Sequence, residues 1–421
     1  MSSSSINLRN GTGKAVFILL CVIAASLLLV FAKWAAGHAI ALNAAEAEVA
    51  KFGVQLAPND PHAHFGYAGL LEKTLLPADQ EQALREMETA AALLPDHWVY
   101  WLSLGRAREQ AGDDAGAEQA LRRALELAPN YARVQWALGN MLLRQGRQEE
   151  GFAEIRRAVA ADASFANPAA AAAWQIFQGD SEGIKRAIGD SPRVNASVAV
   201  LLAGEKRYPE AMEMWRRIPE EDRRQNSKET AQALFGRLAD AGLFSSAIEV
   251  GTGAGLPAAG DARPEFIWNG GFEEPMPQQN PNIFAWTISD GNYPRIGLND
   301  GQKHGGQYSM LMSFGQGGTG SRQIAQKIGA APGGRYELQF FYRSDAKTDS
   351  KIKCGVVEPG GEVIAAVQIM PAAGWTQVNI PFAAPAGREG VELRIWTEMC
   401  TGDRCAVTGN VWFDDFSLVK L

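Results

Sequence analysis

The stretch that decides the fold runs from Trp98 to Pro129, WVYWLSLGRAREQAGDDAGAEQALRRALELAP. Within it, Trp101, Leu104, Gly105, Ala117, Leu121, Ala124 and Pro129 form a pattern that recurs along the chain. Pro95 and Pro129 stand 34 residues apart, and Ala163 holds the next equivalent position. Leu138, Gly139, Gly151, Ile155 and Ala158 repeat the spacing one period later. Ala83, Met87, Ala90 and Pro95 carry its second half one period earlier, where the first half, around Tyr67, is stretched near Leu76-Pro77. A fixed period of this length is the mark of a stacked repeat architecture.

These residues resemble the tetratricopeptide repeat family. The resemblance implies that each unit is a helical hairpin. Small Gly105 and Ala117 let its two helices approach, Trp101, Leu104 and Leu121 fill the gap between neighbours, and Pro129 stops the second helix. One hairpin cannot bury its own apolar face, so the units stack. Fainter echoes follow at Leu201-Leu202-Ala203 with Arg207-Tyr208-Pro209-Glu210-Ala211, and at Leu238 to Phe244 with Ala247 and Ile248. An α-solenoid is therefore expected over residues 39–250, degenerate after 168. Arrays of this family hold a peptide or protein partner, which the resemblance implies here. Trp98, Trp101, Trp136, Trp174 and Trp215 are the candidate anchors, read first as inter-helix core.

On the N-terminal side, Ala15 to Ala32 reads AVFILLCVIAASLLLVFA and carries no charge. A bilayer core of about 30 Å needs about 20 apolar residues in a helix. With Lys33 snorkelling, Trp34 meets the interface and Ala35-Ala36 complete a transmembrane helix over 15–36. Residues 1–14 form a tail whose Arg9 and Lys14 place it in the cytoplasm, with the bulk of the chain periplasmic or extracellular. The competing reading is a cleaved signal peptide, for which Ala39-Ile40-Ala41 supplies small residues. The apolar run exceeds the usual signal-peptide core.

On the C-terminal side the composition changes. Residues 39–260 are rich in Ala, Leu, Glu and Arg; residues 264–421 are rich in Gly, Val, Ile, Phe and Trp. Between them, 251–263 is Gly-, Pro- and Ala-rich and reads as a linker. Beyond it lie short strands separated by turn residues: Tyr336–Tyr342, Lys351–Val357, Val363–Ile369, Thr376–Phe382, Val391–Thr397 and Val411–Leu418. That spacing predicts an antiparallel β-sandwich. The fold class is thus multidomain α + β: an apolar anchor helix, a solenoid of helical hairpins and a C-terminal sandwich.

The last segment opens with Trp268-Asn-Gly-Gly-Phe-Glu273 and passes through Trp286, Gly305-Gly-Gln-Tyr-Ser-Met-Leu, Gly334-Arg-Tyr-Glu-Leu-Gln-Phe and Gly374-Trp-Thr-Gln-Val. It closes on Val411-Trp-Phe-Asp-Asp-Phe-Ser-Leu418. This order resembles carbohydrate-binding modules with a galactose-binding-like jelly roll. The resemblance implies a polysaccharide or glycan partner, and a structural calcium held by Gly271, Glu273 and Asp414. One departure is that Lys303 and His304 stand before Gly305, where a further acidic ligand is sometimes found. Strand alternation puts Arg394 and Trp396 on one side of 391–398, and Gln339, Phe341 and Arg343 on one side of 336–343. A polar-aromatic groove carrying Trp396, Arg394, Phe341, Arg343 and Gln339 is expected to receive the sugar. Trp286, Trp375 and Trp412 are expected in the core.

Other chemistries find little footing. The net charge of −7 and the lack of any Lys/Arg run exclude a phosphate-binding footprint, so no nucleic acid partner is expected. Gly315 to Gly320 satisfies the G-x-G-x-x-G spacing without the strand-turn-helix context that gives it meaning. His62 and His64 diverge at a helix start. The adjacent acids Glu273/Glu274 and Asp414/Asp415 point to opposite strand faces and make no acid–base pair. No catalytic residue is assigned. Cys400 and Cys405 flank a short loop and are placed to form a disulfide in an oxidising compartment, leaving Cys354 buried in a strand. The expected function is a non-catalytic, envelope-anchored scaffold that binds a protein and a polysaccharide, in exopolysaccharide assembly or export. The alternatives are a purely protein-binding scaffold and a glycan-active enzyme.

Overall fold

The computed structural model describes residues 11–276, 282–315, 322–347, 351–398 and 407–421. The described residues fall into two compact units, one within 11–173 and 182–189, the other within 174–181 and 190–421.

The first unit begins with α1 (Gly11–Asn43), long and apolar enough to cross a membrane. Four antiparallel helix pairs follow in order: α1 with α2 (Ala47–Leu56), α3 (Pro61–Leu71) with α4 (Pro77–Leu93), α5 (Trp98–Gln110) with α6 (Asp114–Leu127), and α7 (Ala132–Arg144) with α8 (Gln148–Ala161). The expected small residues set the approach within each pair. A Cβ on Gly105 would lie 2.6 Å from Leu121, and one on Gly139 would lie 2.8 Å from the Gly151 carbonyl oxygen. Between the helices of the middle two pairs, Gly112 and Gly146 take φ of 81° and 78°, a region that glycine alone enters freely. The stretched part of the first unit, before Leu76-Pro77, contains a 3-10 turn, Glu72–Thr74, after which Leu75 takes φ 57°. Trp98 packs on Tyr131 and Trp136 on Phe165, while the Trp101 indole donates to the Pro95 carbonyl.

One feature of this unit goes past the sequence pattern. The apolar helix does not stop near residue 36 but runs on to Asn43, because nothing in 37–43 breaks it and its small face, Gly37 and Ala41, is buried. A Cβ on Gly37 would meet the Gly53 carbonyl oxygen at 2.7 Å, and one on Gly53 would meet the Ala41 nitrogen at 2.7 Å. The membrane-type helix is thus half of the first hairpin.

His62 and His64 diverge as their spacing predicts. His62 meets the Tyr100 hydroxyl, while His64 pairs through Nδ1 with Glu86 and through Nε2 with the Pro58 carbonyl at 2.9 Å. Burial alone would lower the His64 pKa, but the Glu86 hydrogen bond, the Pro58 carbonyl and the charges of Glu86 and Asp60 together raise it. Both ring nitrogens face acceptors, so the doubly protonated ring satisfies both. A raised folded-state pKa contributes stability that is full below the unfolded pKa and is lost as pH rises through the folded one. His64→Gln is therefore expected to loosen α3 and α4 more at about pH 5.5 than at about pH 9, read by amide hydrogen exchange in those helices.

The second unit starts with helical hairpins and ends in a sandwich. Helix α9 (Ala166–Phe177) and α10 (Ser181–Ile188) straddle the boundary between units; α11 (Pro192–Gly204) pairs with α12 (Tyr208–Arg216), and α13 (Glu220–Asn226) leads to the pair α14 (Lys228–Asp240) and α15 (Phe244–Gly253). Trp215 is wholly buried here, as core. The stretch expected as a linker is not free. It contains the end of α15 and a run of turns in which Leu256, Ala259 and Ala262 are buried, and Ile283 donates to the Ala258 carbonyl. Two of its glycines serve close contact, since a Cβ on Gly251 would lie 2.5 Å from Ala259 and one on Gly260 would meet the side-chain amide of Asn282.

Among the described residues, ten strands follow: β1 (Thr287–Ile288), β2 (Arg295–Asn299), β3 (Ser309–Phe314), β4 (Ile324–Gly329), β5 (Arg335–Ser344), β6 (Ile352–Val357), β7 (Val363–Gln368), β8 (Ala372–Ala383), β9 (Gly390–Thr397) and β10 (Gly409–Lys420). They form two antiparallel five-stranded sheets, ordered β1-β4-β9-β6-β7 and β2-β3-β10-β5-β8. Alternate residues of both, such as Leu338, Phe340, Leu393, Ile395, Val411 and Phe413, fill one core with Trp286 and Cys354. Helix α15 packs on β4 and β9, where Gly329 and Gly390 admit Ser245 and Phe244, and Ser246 donates to the Glu389 carboxylate. Cys400, Cys405 and the 316–320 part of the glycine motif lie outside the described residues.

Candidate functional site

The site is built on the outer face of the sheet β2-β3-β10-β5-β8. On β5, Gln339, Phe341 and Arg343 alternate with buried Leu338, Phe340 and Tyr342, so they point out of the sandwich. On the neighbouring β10, Trp412 lies between buried Val411 and Phe413 and pairs in register with Arg343. On the other side, Phe341 pairs with Gln377 and Gln339 with Asn379 of β8, both exposed. These strands bring Trp412, Arg343, Phe341, Gln339, Gln377 and Asn379 onto one face.

The loop from Asp300 to Tyr308 folds over one end of that face. The His304 ring stacks on Phe341 at 3.6 Å between centroids and 13° between planes, and Trp375 stands edge-on to it at 5.8 Å. The Arg343 guanidinium lies 5.9 Å from the centre of the Trp412 ring and donates to Gln302 Oε1 at 2.6 Å. Trp412 Nε1 donates to Asn299 Oδ1, which also accepts the Gln302 amide. The result is a row of rings with polar edges, each held by a hydrogen bond or a stack. Such a surface offers flat apolar area and fixed polar groups together, which a sugar ring with axial C–H bonds and equatorial hydroxyls requires.

Three carboxylates hold the loop. Buried Asp414 accepts the backbone N–H of His304 at 2.9 Å and of Gly305 at 3.2 Å on Oδ2, and of Asp415 at 2.8 Å on Oδ1. Glu273 accepts those of Gln307 and Tyr308. A register shift in β10 after Asp414, with Asp415 at φ 51°, turns the Asp415 carboxylate back to His304 Nδ1 at 2.6 Å. Burial pushes the Asp414 carboxyl up from the ordinary carboxylate range, against the three amides that favour its charged form.

The expected groove needs correction. Phe341, Arg343 and Gln339 share a face, but Arg394 and Trp396 do not join them. They sit on β9 of the other sheet, pointing outward beside Glu392 and Lys353. Two strands of opposite sheets present their polar sides to opposite surfaces of a sandwich, so no single groove holds all five. Trp375 and Trp412, expected in the core, are half-buried on the outer face, and only Trp286 of the three is core. The signal for Trp412 was present in Val411-Trp412-Phe413, where two neighbours of one side force the residue between them to the other. His304 carried no signal, because its loop is placed by carboxylates 34 and 110 residues away.

Of the expected calcium ligands, Gly271 lies beside Glu273, and a Cβ on it would also lie 3.5 Å from Asp415 Oδ1. The Glu273 carboxylate and Asp414 Oδ2 accept backbone N–H groups of residues 304–308. Calcium takes six to eight oxygen ligands, and among the described residues no group of three His, Cys, Asp or Glu is arranged to hold a metal ion.

The tetratricopeptide repeat family model matches residues 98–141. No curated protein matches the chain in sequence. Among solved structures, a CBM4 structure is similar at 23% identity, covering 37% of this chain and 99% of its own, with a TM-score of 0.29. The CBM61 module solved in complex with beta-1,4-galactotriose is similar at 19% identity, covering 37% and 99%, with a TM-score of 0.27. YrrB, a tetratricopeptide-repeat protein with an unusual peptide-binding site, is similar at 16% identity, covering 49% and 91%, with a TM-score of 0.26.

Proposed function

We propose that this protein is a non-catalytic scaffold, anchored in a membrane by α1, whose sandwich binds a polysaccharide on the outer face of β2-β3-β10-β5-β8. The observation that carries this reading is the row Trp412, Arg343, Phe341, His304 and Trp375, a polar-aromatic platform on one open sheet face. Three acids beside it, Asp414, Asp415 and Glu273, are engaged in holding the loop. The repeat array supplies the second arm, for a protein partner. An anchor, a partner arm and a glycan-binding end together suit a component of exopolysaccharide assembly or export at the outer side of a cytoplasmic membrane. Retention of α1 in the mature chain is supported by the burial of Gly37 and Ala41: cleavage after Ala41 would remove half of the first hairpin.

The test is binding of the detergent-solubilised full chain to a panel of neutral and acidic polysaccharides by affinity electrophoresis. Retardation by one glycan class supports the reading. No retardation by any of them leaves a protein scaffold with a structural sandwich, and release of sugars would make it an enzyme. Calcium is not part of the proposal. Dialysis against EDTA is expected to move the thermal midpoint by less than about 1 °C, and a larger fall reversed by calcium would restore the ion.

A further inference from the structure

We propose that the edge of the repeat array formed by its helix-entry turns lies in the lipid headgroup layer of the same membrane that α1 crosses. The inference rests on α1 being a membrane anchor. If the uncharged run 15–32 spans the bilayer, Lys33 and Trp34 mark its outer boundary, and each further residue of α1 rises about 1.5 Å. His38 then stands about 6 Å beyond Trp34.

Helix α1 runs unbroken from the apolar run into the array and is packed against its first helices. The backbones of α1 and α2 touch through Gly37, Ala41 and Gly53, and a Cβ on Gly66 of α3 would lie 3.4 Å from the Ala41 carbonyl oxygen. Asp60, 1% exposed, caps α3 by accepting the His62 amide and binds His38 Nδ1 at 2.6 Å. The first turn of α3 is therefore fixed at the height of His38, within the headgroup layer of a bilayer whose polar regions add about 5–8 Å per side.

From that point a string of rings runs along the edge. Phe31 lies 6.0 Å from Trp34, Trp34 stacks on His38 at 5.4 Å, His38 meets His62 at 5.9 Å, and His62 meets His97 at 6.3 Å. His97 stacks on Tyr100 at 4.3 Å, and the next ring pair, Trp98 and Tyr131, is 4.2 Å apart. His62, His97 with Trp98, and Tyr131 stand at the starts of α3, α5 and α7 in turn, and Trp34 and Tyr131 are each 41% exposed. Indole, imidazole and phenol rings have apolar bodies and polar edges, the side-chain type that concentrates at membrane–water interfaces. The array would thus lie along the bilayer, not stand off it on a stalk.

The experiment places p-benzoylphenylalanine in the full chain at Tyr131, at Asp96 in the turn before α5, and at Gln148 on the opposite edge, after reconstitution in phosphatidylcholine vesicles. After irradiation, phospholipid adducts are expected at positions 131 and 96 at about tenfold or more the yield at 148. Equal yields at all three positions, or none at 131 and 96, would overturn the inference. Alkaline carbonate extraction of the same vesicles separates the two ideas. A chain released by carbonate defeats the anchor itself. A chain retained without adducts at 131 or 96 keeps the anchor and overturns only the edge-on array.

Discussion

Trp375→Ala and Trp412→Ala are each expected to weaken polysaccharide binding by about 10- to 100-fold, while Trp396→Ala leaves it unchanged. The magnitude follows from removing a central aromatic surface from a binding site, which costs about 1.5–3 kcal/mol. The asymmetry follows from topology. Trp412 pairs with Arg343, and Trp375 stands beside His304 over the same sheet, whereas Trp396 pairs with Lys353 on β6 of the other sheet. The three tryptophans have equal chemistry and differ only in the face they share. Affinity electrophoresis of the three variants reads the result directly. Loss on Trp396→Ala with no loss on the other two would put the site on the β1-β4-β9-β6-β7 face and reject the platform. None of the three side chains fills the core, so circular dichroism should show the same fold in all.

The second large effect is expected at Asp414. Asp414→Ala removes the acceptor of three backbone N–H groups and releases the loop that carries His304. A cost of about 3 kcal/mol is expected, with loss of glycan binding, because orphaned amides keep their desolvation penalty. Asp414→Asn separates shape from charge. Burial raises the pKa of the native carboxyl, so its folded-state value exceeds the unfolded one. The sign is then opposite to that of a salt-bridged carboxylate: the stability it contributes is full below the unfolded pKa and declines as pH rises through the folded one. The gap in stability between the native protein and Asp414→Asn should therefore shift in favour of Asn as pH rises across that window, measured by urea unfolding. A gap that moves the other way would mean that the three amides outweigh burial.

Much of this architecture was legible because it depends on local pattern. The 34-residue period locates the hairpins, since Gly105, Gly139 and Gly151 are needed wherever two helix backbones approach. Period-two alternation located the six late strands, and it correctly sorted Gln339, Phe341 and Arg343 from Leu338, Phe340 and Tyr342. It also sorted Arg394 and Trp396 from Leu393 and Ile395. The same rule, applied to Val411-Trp412-Phe413, would have moved Trp412 out of the core.

Alternation assigns a side of a strand and says nothing about which sheet the strand joins. Strands β5 and β9 look alike along the chain, and only their pairing partners, β10 and β8 for one and β4 and β6 for the other, place them in opposite sheets. The grouping of Phe341 with Trp396 was thus beyond any local pattern. So was the role of His304, which comes to Phe341 because Asp414 and Glu273 hold its loop from distant strands. The fusion of α1 to the first hairpin was likewise undetermined, as the apolar run marks a membrane-type helix but not what its far end packs against. The sequence by itself determined the helical repeat, the strand faces and the apolar N-terminal helix, because each follows from spacing within a few turns or residues. Tertiary structure alone decided which faces meet, because sheet pairing, loop anchoring and helix contact are made between residues tens to a hundred positions apart.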